Sequence, residues 1–267
     1  MANALNEVLE QGMEFYQDPE VVTAYSARNG YPPEAIRFIL DSTIADLPGR
    51  YTPRVLDAGC GTGLLTAALQ ADESFAPAQI VALDSSEAML SAMGDTVPNE
   101  VARVAGSMNR MPFMDATFDM VAFGTSLHWG DPEYVPDELR RILRPGGYAV
   151  DIYNITRQGS EFGAILGTLP NQAGDMNRMC GGPNGLDLGE QFAFRGSSQF
   201  PNDALLTPDD FFRLLDSIEI LRTPSPTLAD ARKSLSAYAE DKEVDGRVPV
   251  PFDTFVSIAK LAIDDTL

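Results

Sequence analysis

The chain has 267 residues, enough for one large domain or two small ones, and 44% of them are apolar, enough to fill a sizeable core. Its 39 acidic residues outnumber 19 basic ones, a formal charge of −20 that repels phosphate backbones and disfavours nucleic acid and anionic membrane surfaces as partners. A single histidine and only two cysteines exclude a His-rich metal centre and a disulfide framework, so no metal site is expected.

No stretch reaches the roughly 18 uninterrupted apolar residues of a membrane span. The N-terminal run MANALNEVLEQGMEF carries acids where a signal peptide carries bases. The expectation is therefore a reducing, cytoplasmic location. Neither an internal repeat nor a low-complexity segment is present.

Taken in chain order, RVLDA (54–58) reads as a short buried strand. Residues 63–70 are helical, with Leu64, Leu65, Ala68 and Leu69 at helical spacing. QIVALD (79–84) is a second strand, and Ser85 or Ser86 caps a helix running through Leu90 and Met93. VARVA (101–105) is a third strand and FDMVAFG (118–124) a fourth. A helix is predicted over 132–143, stopped by RPGG, before a fifth strand, YAVDIYN (148–154). Residues 158–196, rich in Gly, Asn and Met, resist assignment. A capped helix is expected over 207–216, a strand at SIEILRT (217–223) and a helix over 228–240. The run VPVPFDTFVSIAKLAI reads as extended, although its apolar residues fit neither period well.

Strands apolar on both faces and alternating with helices imply a parallel sheet covered on both sides, with ligands bound beyond the C-terminal strand ends. Four segments fall on that rim: the loop with Gly59, Gly61 and Gly63; Asp84 with Ser85; the loop after the third strand, with Met108; and GTSLHW, with Thr125, His128 and Trp129.

The glycines are spaced Gly-x-Gly-x-Gly. A dinucleotide fingerprint would put its third glycine where Leu64 stands, which argues against close helix packing there, and no P-loop lysine is present. Backbone N–H groups at a helix start suit a carboxylate, and Asp84, 21 residues beyond Gly63, can accept both hydroxyls of a ribose. Together they suit an adenosine carrying an amino-acid tail. The plainer alternative is a tight turn without ligand, which seldom needs three glycines and a downstream acid at once.

The motifs VLDAGCGTG, VALDSSEAML, MPFMDATFDMVAFGTSLHW and LRRILRPGGY resemble class I S-adenosylmethionine-dependent methyltransferases, most closely the small-molecule branch that includes trans-aconitate methyltransferases. The likeness runs from YSARNGYP, where the family has Arg-Pro-x-Tyr-Pro, to the last extended region, with residues 158–196 as the main gap. It implies a doubly wound, mostly parallel seven-stranded α/β sheet with a cap inserted after the fifth strand. It implies one domain over 1–267: a helical lid (1–50), a cofactor-binding core (51–155), a cap (156–216) and C-terminal strands and helix (217–267). It implies that S-adenosyl-L-methionine is bound by Asp57, Gly59, Cys60, Gly61 and Gly63 around the methionine part. Asp84 and Ser85 would take the ribose, Met89 the adenine, and Ser107, Met108 and Thr125 the rest of the wall. Ser107 stands where the family often has an acid, and Asn29 where it has a proline.

The acceptor side is assigned to Tyr16, Tyr25, Arg28, His128 and Trp129. His128 is either a general base or a residue that orients a small-molecule substrate. Trp129 serves as an apolar wall or as a cation–π partner. Arg178 and Arg195 are candidates for an acidic substrate, and residues 158–196 for a mobile cap. Cys60 reads as a packed, unreactive thiol. The implied activity is methyl transfer to a carboxylate, hydroxyl or acidic carbon. The alternative is a cyclase or other non-methylating catalyst that keeps the cofactor.

Overall fold

The computed structural model describes residues 15–46, 52–73, 79–94, 97, 100–169, 186–218 and 226–263. Its strands are β1 (Arg54–Ala58), β2 (Gln79–Asp84), β3 (Ala102–Ala105), β4 (Phe118–Gly124), β5 (Leu143–Thr156), β6 (Phe192–Pro201), β7 (Ala204–Leu206), β8 (Val248–Val250) and β9 (Phe252–Leu261). Seven of them form one sheet in the order β3-β2-β1-β4-β5-β9-β6, and β7 and β8 form a separate pair. β1 pairs in parallel with β2 on one side and β4 on the other, so the strand order reverses there. β9 is antiparallel to both of its neighbours. The sheet is thus doubly wound and mostly parallel, as the sequence implies.

The helices are α1 (Pro19–Tyr25), α2 (Pro33–Ser42), α3 (Leu64–Ala71), α4 (Glu87–Ala92), α5 (Val135–Ile142), α6 (Glu161–Leu166), α7 (Pro208–Asp216) and α8 (Pro226–Lys242). Alternate residues of the central strands feed two cores. Leu56, Val121 and Phe123 pack on one face with Leu139 and Ile142 of α5. Val55, Met120 and Ala122 pack on the other with Leu65 and Leu69 of α3 and Ile36 and Ile39 of α2. A further core joins α6, α7, α8, β7 and β8 around Phe162, Phe211, Leu235 and Val250. Ser86 and Thr207 cap their helices as expected, accepting from Met89 N at 3.1 Å and Asp210 N at 3.1 Å.

Several expectations are corrected. The helix predicted from 132 starts at Val135, because the Asp131 carboxylate accepts the Glu133 amide at 2.8 Å and holds a turn first. RPGG does not simply end that helix. It lies within β5 as an irregularity, where the register passes from Phe118↔Leu143 to Met120↔Tyr148. Ser217 closes α7, its N–H reaching Arg213 O and Leu214 O, so it does not begin a strand. The remainder of that predicted strand, from 219, lies outside the described residues, as do Arg178 and Cys180.

β6 lies within the stretch expected to be a cap, yet it is the edge strand of the main sheet. Its composition, with Gly196, Ser197 and Ser198 in mid-strand and Phe194 half exposed, hides it from hydrophobic patterning. β9 is buried on nearly every residue because sheet neighbours flank it and cores cover both faces, which explains why it shows no period. No helix among the described residues is long and apolar enough to cross a membrane.

Candidate functional site

The loop after β1 turns back on itself through three left-handed glycines, Gly59 (φ +71°), Gly61 (+54°) and Gly63 (+87°). Gly59 and Cys60 donate their amides to Leu83 O at 2.7 and 3.0 Å, which ties the loop to the end of β2. The Asp84 carboxylate completes the tie: Oδ2 accepts Gly61 N and Oδ1 accepts Ser86 N, each at 2.8 Å. Burial raises the Asp84 pKa and these backbone donors oppose the rise. The carboxylate keeps acceptor capacity for a ligand.

The three glycines do different work. A Cβ on Gly59 would lie 2.6 Å from Ser126 Cβ, and one on Gly63 2.6 Å from Val97 Cγ2 and 2.8 Å from Met93 Cε. One on Gly61 would meet only Tyr25 Cε1, at 3.6 Å, and otherwise open space. The absent dinucleotide-type glycine therefore does not mean loose packing. Gly63 itself makes the close approach, to the segment after α4.

A cavity opens beyond Gly59 and Gly61, walled by Asp84, Ser85 and Met89, by residues 106–109, by Thr125, Ser126 and Trp129, and by Tyr16 and Tyr25. Expected residues from all four rim segments are brought together here. Gly106, Asn109 and Ser126 were not singled out from the sequence. Ser126 Oγ donates to Ala58 O at 2.6 Å, and Asn109 Oδ1 accepts Asp131 N at 2.8 Å, both long-range bonds with no local signature. Ser107 Oγ accepts the Asn109 amide at 3.2 Å and shapes its own turn.

Asp57, Cys60 and Gly63 stand behind the wall. Asp57 is fully buried; its Oδ2 accepts Thr66 Oγ1 at 2.6 Å, while Oδ1 has no partner among the described residues. Burial pushes its pKa up to about 7, against the Thr66 hydrogen bond. Burial likewise raises the Cys60 thiol, helped by Asp57 and Asp84, so it stays protonated.

The N-terminal segment closes the cavity. Tyr16 meets Trp129 edge-on at 5.5 Å and Tyr25 at 5.9 Å. Its carbonyl accepts Ser86 Oγ at 2.8 Å. Arg28 and His128 are not on the cavity wall. Arg28 stacks on Tyr25 at 4.5 Å and donates to Ser217 through Nε (Oγ, 3.0 Å) and Nη2 (carbonyl O, 2.6 Å), linking α1 to the end of α7. The half-buried His128 ring tilts against Trp129 at 5.0 Å and has no hydrogen-bond partner among the described residues.

Burial, reinforced by the Arg28 charge, lowers the His128 pKa to about 4. The imidazole is therefore neutral throughout the neutral range. A group depressed below its ordinary value of about 6.5 takes up its proton more readily unfolded. Its contribution to stability is complete above pH 6.5 and is lost as pH falls towards 4. In an NMR titration the His128 ring signals should stay constant from pH 8 to 6 and move only below about 5. A midpoint near 6.5 would contradict the placement.

Residues 56–151 match the family described as methyltransferase domain. That segment is similar to methyltransferase domains. The chain is 33% identical over 155 residues to an uncharacterized methyltransferase of Mycobacterium bovis, 58% of each protein. It is 39% identical over 101 residues to a malonyl-[acyl-carrier protein] O-methyltransferase of Dechloromonas aromatica, 38% of this chain and 36% of that one. The matched stretch thus spans 58% of the first relative's length and less of the second's. A methyltransferase structure from Anaeromyxobacter dehalogenans superposes with TM-score 0.59 over 88% of this chain and 98% of that one, at 19% identity, a likeness of fold.

The resemblance of the glycine-loop and Asp84 motifs implies S-adenosylmethionine as the cofactor. The residues present fit it: a carboxylate fixed by two backbone donors with lone pairs to spare, and a glycine whose missing side chain leaves space on the cavity side.

Proposed function

We propose that this protein transfers the methyl group of S-adenosylmethionine to a small-molecule acceptor bearing a carboxylate, hydroxyl or acidic carbon, in the manner of the trans-aconitate branch. The observation that carries the reading is the aromatic closure over the Asp84 cavity. Tyr16, Tyr25 and Trp129 line a concave cavity rather than an open platform for a macromolecule. The relative named as an O-methyltransferase favours oxygen as the accepting atom. Low cysteine content favours a reducing, cytoplasmic setting.

When bound, the cofactor supplies a sulfonium methyl with a good leaving group, so the chain must orient reactants and exclude water. Asp84 accepts the ribose hydroxyls, and the Gly59–Gly61 turn presents backbone to the methionine part. Met89 packs at the adenine. Tyr16, Tyr25 and Trp129 screen the reacting centre, and their ring faces suit a cation. Neutral His128 lies off the cavity wall and orients the acceptor only through the Trp129 ring it packs against. A carboxylate acceptor needs no base. Of the segment 1–50, the described residues 15–31 act as lid, while α2 covers the sheet; the cofactor core lies within 52–155.

The test is incubation with methyl-labelled S-adenosylmethionine and a panel of small carboxylic and hydroxylated acids. Label should appear in the low-mass fraction, with one S-adenosylhomocysteine formed per label transferred. Product formation with all label left on the cofactor would select a non-methylating catalyst instead.

A further inference from the structure

Thr125, at the end of β4, has φ +56°. A β-branched residue rarely occupies this left-handed region, and such outliers persist where the surroundings enforce them. Its amide donates to Ile152 O at 2.8 Å, and the residue lines the cavity. The Tyr31 hydroxyl lies 3.1 Å from Thr125 Oγ1. Room for that phenol depends on Gly124, where a Cβ would stand 3.0 Å from the Tyr31 oxygen. Burial holds the Tyr31 phenol well above its ordinary pKa, so it keeps its proton and can donate.

The segment leading into Tyr31 is clamped from the ends of three strands. Asn154 Nδ2, near the end of β5, donates to Asn29 O and Gly30 O at 3.0 and 3.1 Å. Asn202 Nδ2, just after β6, donates to Gly30 O at 2.8 Å. Asn29 Nδ2 returns a bond to Asn202 O at 2.7 Å. Thr254 Oγ1, on β9, donates to Asn154 Oδ1 at 2.6 Å and orients the amide. Asn29, where the resembling family has proline, therefore adds a bond to the clamp.

We propose that Tyr31 is a positioning residue: held by the Asn154–Asn202–Thr254 clamp, it aims the Thr125 hydroxyl into the cavity as a hydrogen-bonding group for the amino-acid end of the cofactor. This rests on the cofactor reading above. With the phenol donating, the Thr125 O–H is released to face the cavity. Thr125 stands on the glycine-loop side, since Ser126 beside it abuts Gly59, and not on the Asp84 side. A polar network held by Asn154, Asn202 and Thr254 gives that hydroxyl a defined direction.

The experiment is calorimetric titration of the full chain with S-adenosylhomocysteine and with 5′-methylthioadenosine, which lacks the amino-acid end, each variant's melting being recorded alongside. Thr125→Val and Tyr31→Phe should each weaken S-adenosylhomocysteine about 5- to 10-fold, the loss of one hydrogen bond. The double variant should be no weaker than Thr125→Val alone, and Thr125→Ser should bind within about twofold of the wild type. Methylthioadenosine affinity should stay constant throughout. Additive losses, an unaffected Thr125→Val, or equal losses for both ligands would overturn the proposal. Failure of the wild type to bind either ligand would instead remove the cofactor reading itself.

Discussion

Asp84→Ala should weaken S-adenosylhomocysteine binding by about 100-fold, the largest loss of any single side-chain truncation in the cavity. Two losses coincide. Ribose hydroxyls lose a charged acceptor, worth about 1.5–3 kcal/mol. The Gly61 and Ser86 amides also lose the carboxylate that holds the loop in place, so the cavity must be reordered on binding. Asp84→Asn keeps an acceptor oxygen but sets an amide group against one of the two backbone donors, and should lie between the two. Calorimetry at constant pH separates these outcomes. Unchanged affinity in the alanine variant would mean that the ribose is bound elsewhere.

Opposite behaviour is expected for two glycines two residues apart. Gly63→Ala should lower stability by about 2–4 kcal/mol, combining a disfavoured positive φ with overpacking against Val97 and Met93. For a chain of this size that is a fall of roughly 5–15 °C in melting temperature. Gly61→Ala meets only the Tyr25 ring at ordinary contact distance. It should cost about 1–2 kcal/mol of backbone strain yet cut cofactor affinity more than 10-fold, because its methyl enters the space the ligand needs. Thermal melts and titrations of the pair decide the matter. Equal stability losses with equal binding would mean that the three glycines form one undifferentiated turn.

Much of this was legible in advance where the information is local. β1, β2 and β4 are short, mostly buried apolar runs, so their pattern sufficed, helped at β1 and β4 by the glycines that end them. Asp84 was legible because an acid ending a strand beyond a glycine loop has few other uses. What sequence patterning missed depends on distant partners. β6 is held by β9 rather than by its own apolar pattern. His128 was expected on the rim, but it turns beside Arg28, whose own position is set by Ser217, 189 residues away. The Tyr31–Thr125 bond spans 94 residues. Such contacts follow only once the sheet order brings the two halves of the chain together.

The central claim is that the Asp84 cavity holds S-adenosylmethionine for methyl transfer, and a crystal structure with S-adenosylhomocysteine tests it most directly. Both ribose hydroxyls should lie on the Asp84 carboxylate, the amino-acid end against the Gly59–Gly61 turn, and the thioether sulfur beneath Tyr16, Tyr25 and Trp129. A ligand bound outside this cavity, or an Asp84 carboxylate left facing water beside it, would contradict the account.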